Sequence, residues 1–204
     1  MKPVITIKNV ELIYPHLTAP NTKFVPAGTY ETYVRMSMED AKNLWAKVKN
    51  YIAGDLEQMV RDRKFSADTK AINPIRNSLD RDKKEIKDFV DIKIKNNASF
   101  TDFKSKEVIN WTPKLWNSDC TPYDIKVPIY SGTIADVAFI PGLAYVQNKL
   151  YTTCRLQSVC VRKLVTGGGR TAADYGFESI VAPVDNTSDI TEVSTRNDGN
   201  NMDF

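Results

Sequence analysis

Apolar residues alternate with polar ones along most of this 204-residue chain, and the alternation gives way to a helical period only once. Alternation predicts strands that bury one face, whereas apolar residues spaced three and four apart predict a helix. Alternating stretches at residues 4–14, 29–36, 88–95, 128–140 and 150–165 predict five strands. With one helix and no regular exchange of strands and helices, the pattern predicts a mainly β fold, a small closed antiparallel barrel capped by one α-helix.

The predicted helix begins at Ser37, which is followed three residues later by Asp40 in the manner of a capping box. Apolar residues then recur at helical spacing and continue to about residue 59. They include Ala41, Leu44, Trp45, Val48 and Ile52. Because Trp45 lies inside this apolar stripe, we interpret it as a core residue and not as a ligand contact.

Between the strands, prolines, glycines and charged residues predict turns and insertions. Pro15 is expected to end the first strand, and Pro141-Gly142 with Asn148-Lys149 to connect the last two. Residues 61–87 carry nine basic and five acidic side chains and predict a long, mobile insertion. It is either a solvated loop or a basic arm that becomes ordered on nucleic acid. Residues 100–123 are expected to be irregular.

The composition argues against an enzyme, a metal site and a bound cofactor. The three cysteines, Cys120, Cys154 and Cys160, form no CxxC pair, and His16 is the single histidine, so neither a disulfide framework nor a zinc site is expected. Cys154 and Cys160 lie six apart in a predicted strand and should share a buried face. The glycines at 167–169 lack the spacing of a phosphate-binding loop and predict a flexible hinge.

Charge is distributed unevenly along the chain. Residues 1–165 carry 26 basic and 18 acidic side chains, or +8, whereas residues 166–204 carry two and seven, or −5. A basic body followed by an acidic tail indicates a polyanion as partner. No stretch resembles a signal peptide or a membrane-spanning helix, so we expect a soluble, intracellular protein with no membrane contact.

Basic and aromatic residues occur together on the predicted outer surface. Such a combination fits unpaired nucleic acid, which presents phosphates and unstacked bases in every sequence. Lys and Arg neutralise the phosphates, and aromatic rings stack on the bases. Each ring taken singly is as well suited to packing against the protein. The candidate DNA-binding residues are Tyr33, Arg35, Phe89, Lys93 and Lys95 on the second and third strands, and Phe100, Phe103, Lys104, Lys106, Trp111, Lys114 and Trp116 in the irregular segment.

The last twenty residues form a second candidate binding segment. Residues 185–204 contain five acidic side chains, among them Asp198 and Asp203, against one basic side chain, and Phe204 follows Asp203. Few large apolar residues occur here, so disorder is expected. A tethered anionic segment can compete for a basic groove, and Phe204 could anchor it in a partner's pocket. The alternative is a tail that only increases solubility.

Several short motifs resemble those of phage-encoded single-stranded DNA-binding proteins. They are Tyr14-Pro15-His16-Leu17, Tyr130-Ser131-Gly132, the glycine-rich residues 167–170 and Asp174-Tyr175-Gly176-Phe177. The acidic tail ending in Asp203-Phe204 resembles that of podovirus replication proteins.

The resemblance implies an OB-fold over residues 1–182 and a disordered tail over residues 183–204. It also implies sequence-independent protection of single-stranded DNA during phage replication, recombination or repair, in the cytoplasm of the infected bacterium. The tail would contact the phage DNA polymerase and primase-helicase. The helix lies between the second and third predicted strands, whereas an ordinary OB-fold has it between the third and fourth. Both a monomer and a homodimer remain open.

Two other functions are compatible with the sequence. The first is a virion structural or assembly protein built on a similar β-barrel. The second is a nuclease whose acidic site is not visible as a motif. Preferential binding to unpaired strands would distinguish a single-stranded DNA-binding protein from a virion protein. Metal-dependent cleavage of the strand would identify a nuclease.

Overall fold

The computed structural model describes residues 3–62, 70–80, 82–102, 104–147 and 149–166. They belong to one compact unit, residues 1–168. The predicted hinge, residues 167–182 of the predicted domain and the acidic tail lie outside the described residues. The described elements are β1 (Ile5–Asn21), β2 (Thr29–Ser37), α1 (Met38–Arg61), β3 (Ile75–Leu79), β4 (Glu85–Asn97), β5 (Ser99–Thr101), β6 (Val108–Asn110), β7 (Lys114–Trp116), β8 (Ile134–Val146) and β9 (Lys149–Lys163).

Five of these strands close a barrel in the order β1, β2, β4, β9 and β8, with β8 returning to β1. The pairs β1–β2, β2–β4, β8–β9 and β1–β8 are antiparallel. The barrel closes where β4 meets β9 in parallel, at Lys95 and Arg155. The predicted fold class, a mainly β five-stranded barrel with one helix, is confirmed, with one parallel pair among the antiparallel ones.

The barrel interior is filled by alternate residues of the five strands. Leu12, Val34, Ile92, Phe139 and Leu156 are fully buried and come from all five strands. On β2 and β4 the inward residues are those predicted from the alternation, because the side-chain period of a strand is two. The opposite residues of β2 and β4 therefore point away from the barrel interior.

The helix begins as the sequence predicted. The Ser37 hydroxyl accepts a hydrogen bond from the backbone N–H of Asp40 at 3.1 Å, which satisfies one of the free donors of the first turn. Trp45 and Val48 are buried against the core, so the core interpretation of Trp45 is confirmed. Because α1 contacts β8 as well as β2 and β4, it spans the barrel and covers one end.

Two prolines lie inside strands, where the sequence predicted chain breaks. Pro15 occurs at an irregularity in the β1–β2 register between Ile13 and His16, and β1 continues to Asn21. Pro141 pairs with Cys154 within β8. The registered β1–β8 pairs end at Phe139, so β8 is an edge at this point. Proline is tolerated at irregularities and edges because there its missing N–H need not remove a ladder hydrogen bond.

A bulge in β9 reverses the predicted orientation of one cysteine. Ala138 pairs with Ser158 and Phe139 with Leu156, which leaves Gln157 as an extra residue. An extra residue exchanges the two faces of a strand beyond it. Cys154 is consequently buried, and burial raises the pKa of its thiol to about 12, whereas Cys160 is only half-buried. The prediction that the two cysteines share a face is wrong.

The charged insertion is partly ordered. Residues 75–79 form β3, which pairs with β4 through Ile75–Ile92 and Arg76–Asp91. The sequence predicted a mobile segment here, and for β3 that prediction is wrong. Short strands β6 and β7 likewise lie within the segment predicted to be irregular, and β7 pairs in parallel with β9. These strands are only three to five residues long, so their alternation is too brief to identify them from the sequence.

The barrel core can be tested by truncating Phe139, which is fully buried. Phe139→Ala should lower the free energy of unfolding by about 3–5 kcal/mol because it leaves a cavity at the barrel centre. Urea denaturation followed by circular dichroism measures the change. Phe100→Ala removes the same atoms from an exposed ring and should change stability by about 0.5 kcal/mol or less. Equal losses in both variants would contradict the described core.

Candidate nucleic-acid interface

The outer face of β2 and β4 carries a ladder of polar and aromatic side chains. Tyr33 lies opposite Lys93, and Glu31 lies opposite Lys95. Side chains directly opposite each other on antiparallel strands are close enough to interact. The Lys93 ammonium lies 2.8 Å from the Glu31 carboxylate and 5.3 Å from the centroid of the Tyr33 ring.

This ladder forms one side of a groove, which we call the barrel groove. Its volume is about 490 Å³. The β8–β9 hairpin and the segment that enters β3 form the other side. The lining residues are Tyr33, Asn73, Pro74, Ile75, Arg76, Lys93, Lys95, Ala144, Val146, Tyr151, Thr152, Thr153 and Cys154. The groove therefore combines three cations with two tyrosines and contains no carboxylate among its described lining residues.

Arg76 of β3 lies over the Tyr33 ring. The carbon of its guanidinium group is 3.6 Å from the ring centroid, which is a close cation–π contact. Its Nη2 donates to the Asp91 carboxylate at 3.3 Å, while its Nε is buried and has no hydrogen-bond partner among the described residues. Arg76 thus presents a positive charge in the groove at a place fixed by Tyr33 and Asp91.

Glu31 partly neutralises the groove. Burial acts to raise the pKa of Glu31, but hydrogen bonds from Lys93 and Asn21, together with the charge of Lys93, outweigh burial and lower the pKa below its ordinary value. Glu31 therefore remains ionised at neutral pH and holds the Lys93 ammonium. Lys95, one position along the outer face, is exposed and has no ion pair with the described residues.

Arg35, a candidate from the sequence, is engaged within the protein. Its Nε donates to Asp91 at 3.1 Å and to Ser78 at 3.3 Å, and its Nη2 donates to the Leu79 carbonyl at 2.9 Å. Asp91 is 1% exposed and also accepts from the Ser78 hydroxyl at 2.6 Å. Asp91 therefore joins β2, β3 and β4 through one row of side chains, which we call the Asp91 clamp.

Other sequence candidates lie apart from the barrel groove. Phe89 is exposed in a cavity between β1 and α1 that also contains Glu11 and Asp40. Trp116 lines a cavity of about 360 Å³ beside β7, where its Nε1 donates to the Ser158 hydroxyl at 2.9 Å. The structure therefore brings together Tyr33, Lys93 and Lys95 but separates them from Phe89 and Trp116.

The irregular segment contributes little to the barrel groove. Trp111 packs edge-on against Tyr30, with ring centroids 5.9 Å apart. Phe103 lies outside the described residues. The remaining candidates are exposed on or beside β5, β6 and β7: Phe100, Lys104, Lys106 and Lys114. None of these side chains lines the barrel groove. Their role in binding stays a prediction.

Sequence reasoning missed two groove residues, Arg76 and Tyr151. Tyr151 alternates with Leu150 and Thr152 at the start of the last predicted strand, so its outward orientation was readable from the sequence. Arg76 lies in the charged insertion, where no periodicity distinguishes it from its neighbours. Its position depends on the pairing of β3 with β4.

Two further features bear on function. Within the described ranges, no three His, Cys, Asp or Glu side chains group so that they could hold a metal ion. No helix in the described part of the chain is long and apolar enough to cross a membrane.

Comparison with known proteins identifies similar structures. The fold matches that of gp2.5, a single-stranded DNA-binding protein encoded by bacteriophage T7, with a TM-score of 0.65, 17% identity and coverage of 96% of this chain and 100% of that chain. It also matches the single-stranded DNA-binding protein from bacteriophage Enc34 in complex with single-stranded DNA, with a TM-score of 0.54, 18% identity and coverage of 81% and 89%. No protein-family model and no curated protein matches the chain. The chain thus has the OB-fold of these phage proteins.

The Asp91 clamp can be tested by removing its charge. Asp91→Asn removes the buried carboxylate that both Arg35 and Arg76 contact, and leaves Arg35 only the more distant carboxylate of Glu11, at 3.8 Å. The free energy of unfolding should fall by about 3–5 kcal/mol, as for other broken buried ion pairs, and urea denaturation measures this change. Asp136→Asn, which removes a carboxylate paired with Arg162 alone, is the control and should cost less. A smaller loss for Asp91→Asn than for the control would contradict the clamp.

Proposed function

We propose that this protein binds single-stranded DNA through the barrel groove, without sequence preference. The observation that carries the proposal is the groove itself, where Arg76, Lys93 and Lys95 lie beside the rings of Tyr33 and Tyr151. Cations of this kind neutralise phosphates, and the faces of aromatic rings accept any base. The shared fold with phage single-stranded DNA-binding proteins, one of them solved in complex with single-stranded DNA, supports the proposal.

We assign each groove residue a role. Lys95 is exposed and carries a full positive charge at the groove edge, so it contacts phosphate. Tyr33 and Tyr151 contact bases. Arg76 is held in place by Tyr33 and Asp91, so little side-chain entropy is lost when it contacts the strand. Arg35 positions β3 through the Asp91 clamp and does not contact the strand.

Coating of unpaired strands suits a role in phage DNA replication, recombination or repair, which the sequence resemblance implies. The groove lies on the outer face of the barrel, so a strand can enter it from the side and need not be threaded in by an end. The function we propose is binding and protection of the unpaired strand.

The groove is tested by fluorescence anisotropy with labelled oligo-dT at several salt concentrations. Tyr33→Leu should weaken binding by about 5- to 150-fold, the equivalent of about 1–3 kcal/mol for one stacked base. Lys95→Gln should reduce the slope of log K against log salt by about 0.7. Glu31→Gln should strengthen binding because it frees Lys93.

The matched control is Lys126→Gln, which neutralises an exposed lysine outside the groove, in the segment between β7 and β8. It should leave the affinity and the salt slope unchanged. Lys114→Gln tests the sequence candidate on β7, which pairs with β9. If this variant binds weakly while Tyr33→Leu and Lys95→Gln bind as the wild type does, the interface lies beside β7 and not in the barrel groove. Equal wild-type affinity for duplex and single-stranded DNA at matched salt would contradict the proposed function altogether.

We also propose that the acidic segment 185–204, with Asp198, Asp203 and Phe204, contacts the phage DNA polymerase and primase-helicase. Its five acidic side chains against one basic one support this assignment, as does the sequence resemblance. Deleting residues 185–204 should strengthen oligo-dT binding at low salt, because a tethered anionic competitor is removed. Phe204→Ala should leave DNA affinity unchanged and abolish stimulation of the polymerase. A truncated protein with wild-type affinity and wild-type stimulation would show that the segment only increases solubility.

A further inference from the structure

A second groove opens beside the barrel groove, and we call it the helix groove. One face of α1 forms one wall, with Lys42, Trp45 and Lys49, and the segment entering β3 forms the other. Its volume is about 510 Å³. Asn73 and Ile75 line both grooves, so the two meet at this segment.

The helix groove is positively charged. Lys42 and Lys49 are seven residues apart, so they lie two turns apart on the same side of α1, separated by about 10 Å along its axis. Both are exposed, and neither forms an ion pair with the described residues. The described residues that line the helix groove include no carboxylate. Two cations that remain unpaired in a groove favour an anionic occupant.

The opposite side of α1 differs in charge. Lys47 lies there, in the cavity between α1 and β1 that also contains Lys8. The carboxylates of Glu11 and Asp40 line the same cavity. Arg35 also lines this cavity, but it is paired with Asp91 and Glu11. Carboxylates therefore accompany the cations on this side of α1, whereas the described lining on the side that faces the segment entering β3 has none.

We propose that a DNA strand bound in the barrel groove continues past Asn73 and Ile75 into the helix groove, where Lys42 and Lys49 neutralise two further phosphates. This proposal rests on the proposed function and extends its binding site. The floor of the helix groove contains Trp45, which is only 8% exposed, so bases have little ring surface on which to stack. The helix groove thus contributes mainly through charge, which makes its contribution dependent on salt.

In this arrangement α1 contributes to DNA binding as well as to the core. The helix follows β2 directly in the chain and is connected through β3 to β4. The outer faces of β2 and β4 form the ladder of the barrel groove. Its buried face covers the barrel end through Trp45 and Val48, while its exposed lysines extend the cationic surface of the barrel groove. The same helix therefore closes the core and lengthens the binding site.

The test compares two oligonucleotides, one of about 5 and one of about 15 thymidines, both within the range that one OB-fold binds. The variants are Lys42→Gln/Lys49→Gln and the charge-matched control Lys8→Gln/Lys47→Gln, whose lysines are exposed on the opposite side. For the longer oligonucleotide, the first variant should reduce the slope of log K against log salt by about 1.4, or about 0.7 for each phosphate. For the shorter one the slope should stay unchanged, and the control should match the wild type with both.

Acetylation of lysines in the wild-type protein, followed by mass spectrometry, gives a measurement that needs no variant. The longer oligonucleotide should protect Lys42 and Lys49 from acetylation and leave Lys47 reactive. The shorter oligonucleotide should protect Lys95 and leave Lys42, Lys47 and Lys49 reactive. Wild-type slopes for Lys42→Gln/Lys49→Gln with the longer oligonucleotide would overturn the extension and leave the barrel groove in place. Equal losses with both oligonucleotides would contradict a strand that starts in the barrel groove. Absence of binding by the wild-type protein would overturn the proposed function as well.

Discussion

A single buried carboxylate holds together the part of the barrel that carries the binding groove. Asp91 projects from the outer face of β4, yet it is 1% exposed because side chains from β2 and β3 cover it. Arg35 reaches it from β2, and Arg76 and Ser78 reach it from β3. The buried negative charge depends on these partners, since an ionised carboxylate away from water is costly unless it is paired and hydrogen-bonded. β3 is short, so this clamp supplies much of what keeps it on the barrel.

The groove follows from the clamp. With β3 in place, Arg76 lies against Tyr33 at 3.6 Å, and the preceding residues, Asn73 and Pro74, form a wall that faces the β8–β9 hairpin. A flexible arginine would lose side-chain entropy on contact with a phosphate, whereas Arg76 has already been ordered during folding. The charged insertion, which has the composition of a loop, thus supplies a strand, a cation and the segment that joins the barrel groove to the helix groove.

Much of the barrel could be predicted from the sequence because its signals are local. Alternation identified the inward and outward residues of β2 and β4, and Ser37 identified the beginning of α1. The failures have a common origin in how one strand pairs with another. Proline breaks a strand only where its neighbour needs the missing N–H, and Pro141 lies where β8 has become an edge. Gln157 forms a bulge because it lies between two β9 residues, Leu156 and Ser158, whose partners on β8 are directly consecutive.

The sequence by itself determined that Tyr33, Lys93 and Lys95 point away from the core, since the two-residue period of a strand depends on the backbone of that strand alone. Only the tertiary structure decided which outward residues meet. It engaged Arg35 with Asp91, 56 positions away, and it brought Arg76 and Tyr151 into the groove from separate elements. It also placed Trp111 against Tyr30 and Trp116 against Ser158, away from the groove. The amino-acid composition shows that aromatic rings and cations are present. Their association in one groove depends on strand order and barrel closure, which no local sequence pattern encodes.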